Sequence, residues 1–384
     1  MSTILLILLG LITLWWALRF LPAGADGHGT LPYLIAFVRF LWIPSAVILA
    51  IALIFRHWIV ATLAALLIVA MLVFVSPWYR KRHNGSAKRD RPKQSSQDRK
   101  IQNNDDLYTV MTLNCRYGLA DPQGIVDAVR SNDVSILALQ ELTQDLVTAL
   151  DRVGLKALLP YCQLGRSHKS DNGGFNGIFS RTKPDAQAES TVNIAAADVP
   201  HCRINGVAVY SAHPKSPMRG CQDWSRGIVN LATLGRGVSD NPDISSTTKS
   251  GTAKQDGTST VPGSDISQGD TVTQISGGTN DNAAQNDSSN VSSADVSPCE
   301  TIVMGDLNSN LDHPSFRRLL NAGLQDAGLN VSHGVAASFP QWLPWPRLEL
   351  DHILATSGLV ASNVHTLTIT GSDHLALLAE LCNR

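Results

Sequence analysis

The sequence predicts an α/β domain carried behind an apolar N-terminal region, and three observations lead there. Three apolar stretches, Ile4 to Leu21, Leu31 to Phe55 and Trp58 to Trp78, fill the first eighty residues. From Leu107 onward, short strand-like runs alternate with helical ones. Between Gly237 and Pro298 the chain turns to Ser, Thr, Asn, Gly and Asp, with no aromatic residue and no Leu.

Each apolar stretch is close to the roughly 20 residues that a helix needs to cross about 30 Å of hydrocarbon. Three transmembrane helices are therefore expected within residues 1–79, and a membrane lipid bilayer is the expected partner of this region. The second stretch is the least regular, because Arg39 interrupts it and Pro44 lies inside; a long arginine side chain can snorkel toward headgroups. Trp15, Trp16, Trp42, Trp58 and Trp78 cluster toward the stretch ends, as amphipathic rings do at interfaces. No charged segment precedes the first stretch, which argues against a cleaved leader.

Residues 80–106 form a basic polar linker, with nine Lys or Arg between Tyr79 and Lys100. That run and Arg19 favour a cytoplasmic location for the C-terminal domain, whereas Arg56 in the tight turn before the third stretch favours the opposite. With the N-terminus inside and three spans, the C-terminal domain faces away from the cytoplasm, and a multi-pass cell-membrane location is the expectation.

The domain itself is expected over 107–384. Tyr108 to Asn114 and Val134 to Gln140 read as strands and Pro122 to Ser131 as a helix. Asn205-Gly206 is a hairpin signal before the strand-like Gly206 to Ala212, and Thr301 to Gly305 is a further apolar run. The segment 237–298 cannot bury enough apolar surface to offset its ordering entropy and reads as a disordered insertion. Without it roughly 215 residues remain, which suits one layered α/β domain. The net charge of -1 excludes a global basic field that would hold a polyanion without sequence preference. The six cysteines form no CxxC pair of the kind that points to zinc.

Six short elements of this domain each end an apolar run with residues that bind metal or move protons. They are Leu113-Asn114-Cys115, Leu139-Gln140-Glu141, Ser211-Ala212-His213-Pro214, Gly305-Asp306-Leu307-Asn308-Ser309, Leu350-Asp351-His352-Ile353 and Gly371-Ser372-Asp373-His374. One alone is equally a turn or a helix cap. Six at strand ends of a layered fold can converge on one cleft.

In that order the series resembles the endonuclease/exonuclease/phosphatase superfamily, over essentially all of Leu107 to the C-terminus except the insertion. The resemblance implies a four-layered α/β sandwich, two packed mixed sheets flanked by helices, with its site at one edge. It implies metal-dependent hydrolysis of a phosphate ester, of nucleic acid, a phospholipid headgroup or another substrate, by activated water. Such a reaction needs developing negative charge neutralised, a water aimed in line and the leaving oxygen protonated. Oxygen ligands suit Mg²⁺, with Mn²⁺ as an alternative. Glu141, Asn114 and Asp373 match metal positions. Asp351 and His374 match a carboxylate that orients an imidazole, while Asp306 is the other candidate for activating water. Asn308 matches a residue that holds phosphoryl oxygen or Asp306 itself, and His213 one that assists the leaving group or binds phosphate.

There are departures from the family pattern. The run Gly173 to Arg181 offers no acid to pair with His213, and Asn176 within it is a possible phosphate contact. Many members carry Arg two residues before the aspartate of the Asp-His element; this chain has Glu349, with Arg347 as the nearest arginine. An inactive relative serving as a membrane-bound scaffold is the alternative, but the full ionisable set speaks for an enzyme.

Overall fold

The computed structural model describes residues 1–80, 107–168, 174–190, 192–195, 197–236, 299–331 and 336–384, with the backbone alone for 75–80. The linker beyond Arg80 and the insertion expected at 237–298 lie outside the described residues.

Four helices open the chain: α1 (Ser2–Ala17), α2 (Leu31–Ala36), α3 (Trp42–Ile54) and α4 (Trp58–Arg80). Leu5, Leu9, Ile48, Ala52, Ala64 and Leu67 pack between them. Their outer faces are apolar as well, with Ile7, Leu11, Leu14, Ile54, Ile59 and Leu72 all exposed. Among the described residues one helix, or two with the bent pair, meets the length and apolarity needed for crossing, and not the three expected. Ser2–Phe20 is long and apolar enough to cross a bilayer, and Leu31–Phe40 with Trp42–Ile54 makes a pair bent by 52° that counts as at most one more. The apolar part of α4 with described side chains, Trp58–Phe74, is shorter. Pro44 explains the bend: its ring clashes with the carbonyl four residues back and it has no N–H to give, so a helix cannot run straight through Phe40. The expectation of an outward-facing domain rested on three spans and loses its premise.

The α/β part begins with β1 (Leu107–Asn114) and α5 (Pro122–Ser131). The carboxylate of Asp121 caps α5 by accepting from the Gln123 and Gly124 N–H groups, with Pro122 in the first turn. Then come β2 (Ile136–Leu142), α6 (Gln144–Arg152), α7 (Leu155–Leu158), β3 (Tyr161–Leu164), β4 (Phe175–Ser180), β5 (Ala186–Ala188), β6 (His201–Ile204) and β7 (Val207–Ser211). Asn205 and Gly206 both have positive φ, the two-residue hairpin turn expected there. The remainder is α8 (Pro217–Leu231), β8 (Thr301–Asp306), α9 (Pro314–Asn321), β9 (Gln325–Asp326), α10 (Ala327–Asn330), β10 (Asp351–Ala355), β11 (Leu359–Thr368) and β12 (Leu375–Asn383).

The strands form two six-stranded mixed sheets, ordered β11-β12-β1-β2-β4-β3 and β5-β6-β7-β8-β10-β9. One core lies between the sheets, where Val110, Ile136 and Leu377 meet Val209, Ile302 and Ile353. A second packs α5, α6 and α7 on the outer face of the first sheet. A third packs α8 and α9 on the outer face of the other, around Trp224 and Phe316. Two packed mixed sheets with flanking helices is the architecture expected.

Candidate active site

The parallel β1–β2 ladder sets Asn114 opposite Gln140 at the C-terminal ends of both strands. One residue on, the pairing of β2 with β4 shifts between Leu139 and Leu142. Glu141 sits in that bulge with φ 53°, a left-handed backbone that costs a residue bearing a Cβ about 1–3 kcal/mol. Bulges re-aim side chains. Here the Glu141 carboxylate accepts from Asn114 Nδ2 at 3.2 Å and from the Tyr117 N–H at 2.9 Å.

In the second sheet, Asp306 ends β8 directly opposite Asp351, the first residue of β10. Gly305 has φ 150°, and a Cβ there would overlap the Ala212 carbonyl oxygen. Glycine thus lets the chain leaving β7, which carries His213, lie against β8. Asp306 Oδ1 accepts from the Asn308 N–H at 2.8 Å, and Oδ2 accepts from Asn114 Nδ2 at 3.0 Å. His213 stands between the two carboxylates, Nε2 at 3.6 Å from Glu141 and Nδ1 at 3.6 Å from Asp306.

His374 immediately precedes β12. Its Nδ1–H donates to Asp351 Oδ2 at 2.7 Å, leaving Nε2 facing Asp306 Oδ2 at 3.7 Å. Burial opposes charge on this ring, but Asp351 and Asp306 outweigh it and raise the pKa to about 10. Asp351 is buried too, yet the charge and hydrogen bond of His374 hold its carboxyl below the usual range. The pair is an imidazolium–carboxylate.

Asn114, Glu141, His213, Asp306, Asn308 and His374 line one cleft of about 600 Å³, together with Asp373, while Asp351 lies behind His374. Asn176 is not on the cleft wall. It is buried, and its Nδ2 donates to the Asp198 carbonyl at 2.8 Å. Asp373 is partly exposed beside Arg116, at 3.9 Å.

Several participants were given no role by the sequence, although Ser372 and His352 stand in two of the six elements. The Ser372 hydroxyl donates to the Asn114 carbonyl at 2.8 Å and accepts from the His374 N–H at 2.9 Å, tying the end of β1 to the turn that enters β12. Ser338 accepts from the Asp351 N–H at 3.2 Å. The Phe339 ring centroid is 4.8 Å from that of His374. His352, adjoining the site, is fixed between Asp326 at 2.6 Å and the Ser309 carbonyl at 2.8 Å.

The two arginines of the apolar stretches also find partners here. Arg19 pairs with Asp312 at 3.3 Å, both side chains buried, and Arg39 pairs with Glu349. Arg39 is thus turned toward the α/β domain and not toward headgroups, and Glu349 is held by a cation from the N-terminal region. Between them Asp26, fully buried, accepts from Ser225 Oγ at 2.9 Å and from the Ser315 N–H at 2.8 Å.

Two groupings offer ligands for a divalent cation. Asp306, Asp351 and His374 present ligand atoms within 4.8 Å of one another, and a cation there would have to displace the proton that His374 holds between the two carboxylates. Glu141 and Asp306 flank Asn114 Nδ2, and a hard dication would relieve the mutual repulsion of these two carboxylates. Asn308 Nδ2 and Asp351 Oδ1 are buried without a hydrogen-bond partner among the described residues. The donor set therefore fits a divalent cation with an anionic substrate, provided that the Asn114 oxygen leaves the Arg116 N–H, which engages it at 2.8 Å.

The class is a layered α/β protein whose two packed sheets end in carboxylates, amides and imidazoles around one cleft. The chain belongs to the endonuclease/exonuclease/phosphatase family, whose sequence model matches residues 111–374. No curated protein matches the sequence. Solved structures do resemble it. An endonuclease/exonuclease/phosphatase family protein from Bacteroides thetaiotaomicron is 16% identical, with a TM-score of 0.44, covering 72% of this chain and 95% of that one. An AP endonuclease from Archaeoglobus fulgidus is 13% identical, with a TM-score of 0.42, covering 71% and 98%. D. rerio TDP2, complexed with single-strand DNA product, is 14% identical, with a TM-score of 0.43, covering 72% and 99%.

Proposed function

We propose that the chain is a divalent-metal-dependent phosphoesterase held at a membrane by its N-terminal helices. The observation that carries the reading is the convergence of Asn114, Glu141, His213, Asp306, Asn308 and the Asp351–His374 pair on one cleft. Glu141 would hold the cation, with Asp373 and the Asn114 oxygen, once turned from Arg116, as further donors; when bound, Mg²⁺ or Mn²⁺ supplies charge to neutralise the phosphoryl oxygens.

The chain's own residues do the rest. His374, kept protonated by Asp351, presents Nε2–H to a phosphoryl oxygen. Water activation then falls to Asp306, whose Oδ1 is pinned by the Asn308 N–H and whose Oδ2 faces the cleft. Asn308 Nδ2 donates to the phosphoryl group. His213, between two carboxylates, delivers a proton to the leaving oxygen.

Membrane attachment is supported by the apolar outer faces of α1, α3 and α4, since a helix apolar on all sides needs a surrounding apolar phase. The test is hydrolysis of a chromogenic phosphodiester by the full chain in detergent, with Mg²⁺, with Mn²⁺ and with EDTA. Turnover with either metal and none with EDTA is expected. Undiminished turnover in EDTA would overturn the mechanism.

A further inference from the structure

Part of the cleft wall does not come from the α/β domain. Pro32, Tyr33, Ala36 and Phe37, on and just after α2, line the same space as Glu141 and His374. Their backbone is fixed there: His313 Nε2 donates to the Pro32 carbonyl at 2.9 Å, and Asn310 Nδ2 to the Ala36 carbonyl at 3.1 Å. Met218, 83% exposed, adds to this apolar side.

A second feature continues it. Trp342 and Trp345 are 66% and 62% exposed, and Leu343 between them is exposed too. The Trp345 ring meets Phe40 of the N-terminal region edge-on at 5.9 Å. Trp342 lies 6.0 Å from Phe339, the residue whose ring packs on His374. The 342–345 loop thus touches the N-terminal region at one end and, at the other, Phe339 beside His374.

A water-exposed apolar patch of this kind marks a contact surface, and tryptophans beside apolar helices belong at a bilayer interface. Nucleic acid fits less well. Among the described residues, Arg116 and Arg219 are the arginines that line the cleft and no lysine does. Arg116 faces Asp373, and Arg219 donates to the Tyr117 hydroxyl at 2.7 Å. A polyanion is held by several phosphate contacts.

We propose that the substrate is a membrane lipid carrying a phosphate ester. Its headgroup enters the cleft, its chains lie along Tyr33, Phe37 and Met218, and the Trp342–Trp345 loop rests in the headgroup layer. This rests on the phosphoesterase reading above and specifies the substrate that the N-terminal wall selects.

The experiment compares, for the full chain with Mg²⁺, long-chain phosphatidylglycerol and phosphatidic acid in phosphatidylcholine vesicles, their dibutyryl analogues, a single-stranded oligonucleotide and a chromogenic diester. Long-chain lipid should exceed its short-chain analogue in kcat/KM by at least about ten-fold, since each buried methylene adds about 0.8 kcal/mol. Phe37→Ser combined with Met218→Ser should lower that ratio about ten-fold, while Phe37→Leu with Met218→Leu should preserve it. No chain-length preference, a ratio unmoved by the serine variants, or an oligonucleotide hydrolysed better than the lipid would overturn the inference. Hydrolysis of the chromogenic diester without that of lipid overturns it and leaves the phosphoesterase reading standing. No hydrolysis of any ester overturns both.

Discussion

At Glu141 backbone strain and chemistry coincide. The left-handed bulge that aims its carboxylate at Asn114 is held by the β2–β4 ladder on either side, so the strain is a property of the sheet and not of the charge. Glu141→Gln should therefore lower kcat on the chromogenic diester by about 10²–10⁴-fold and leave the melting temperature unchanged or slightly raised. Loss of both activity and stability would make the role structural. His374→Ala should lower kcat similarly but also lower the melting temperature, because it leaves the buried Asp351 carboxylate without the Nδ1–H partner of its Oδ2. The residue types and their order were legible in the sequence, since each sits at the end of an apolar run. Their bonds were not: Ser372 and Ser338 are ordinary serines until the fold brings Asn114, Asp351 and His374 to them. Asn176 misled for the same reason, because a strand residue's exposure depends on what lies across the layer, here Asp198.

At the level of elements, the strand β8 and the chain leaving β7 meet so closely that position 305 admits no side chain. Gly305→Ala should cost about 1–3 kcal/mol in backbone strain alone and, by pushing His213 away from Asp306, lower kcat as well. Thermal melting and turnover on the same preparation check both halves. α5 matched its expected bounds, Pro122–Ser131, because an aspartate cap, a proline and a periodic apolar face all agree there. The Asn205-Gly206 hairpin was equally legible, since only residues tolerant of positive φ fit a two-residue turn. The bend between α2 and α3 was written in Pro44, but apolar content alone overstated the run into a straight span. The bulge at Glu141 was not legible: the expected strand stopped at Gln140, whereas β2 runs on through the bulge to Leu142.

Across the whole molecule, the N-terminal region is keyed into the α/β domain by Arg19–Asp312, Arg39–Glu349 and the buried Asp26. Arg39→Met should destabilise the chain by about 3–5 kcal/mol through the unpaired Glu349, and adding Glu349→Leu should recover much of the loss, as a double-mutant cycle of melting temperatures would read. Stability should also fall on the alkaline side. Burial opposes charge on His352, but Asp326 outweighs it and raises its pKa above the ordinary 6.5; His374 is raised to about 10. Stabilisation from such groups is complete below about pH 6.5 and is lost as pH rises through the folded values. In EDTA, the melting temperature should decline between about pH 7 and 10, and less steeply in His352→Gln. Nothing in the sequence announced these long-range pairs, since a lone arginine in an apolar stretch has no address. Their separation sets a timetable for biosynthesis. Arg19 precedes its partner by 293 positions (312 minus 19), and at 5–20 residues per second it waits roughly 15 to 60 s for Asp312 to be made. Under the membrane reading proposed above, the apolar helices are sheltered through that interval, so delivery of the nascent chain comes first and completion of the α/β domain second.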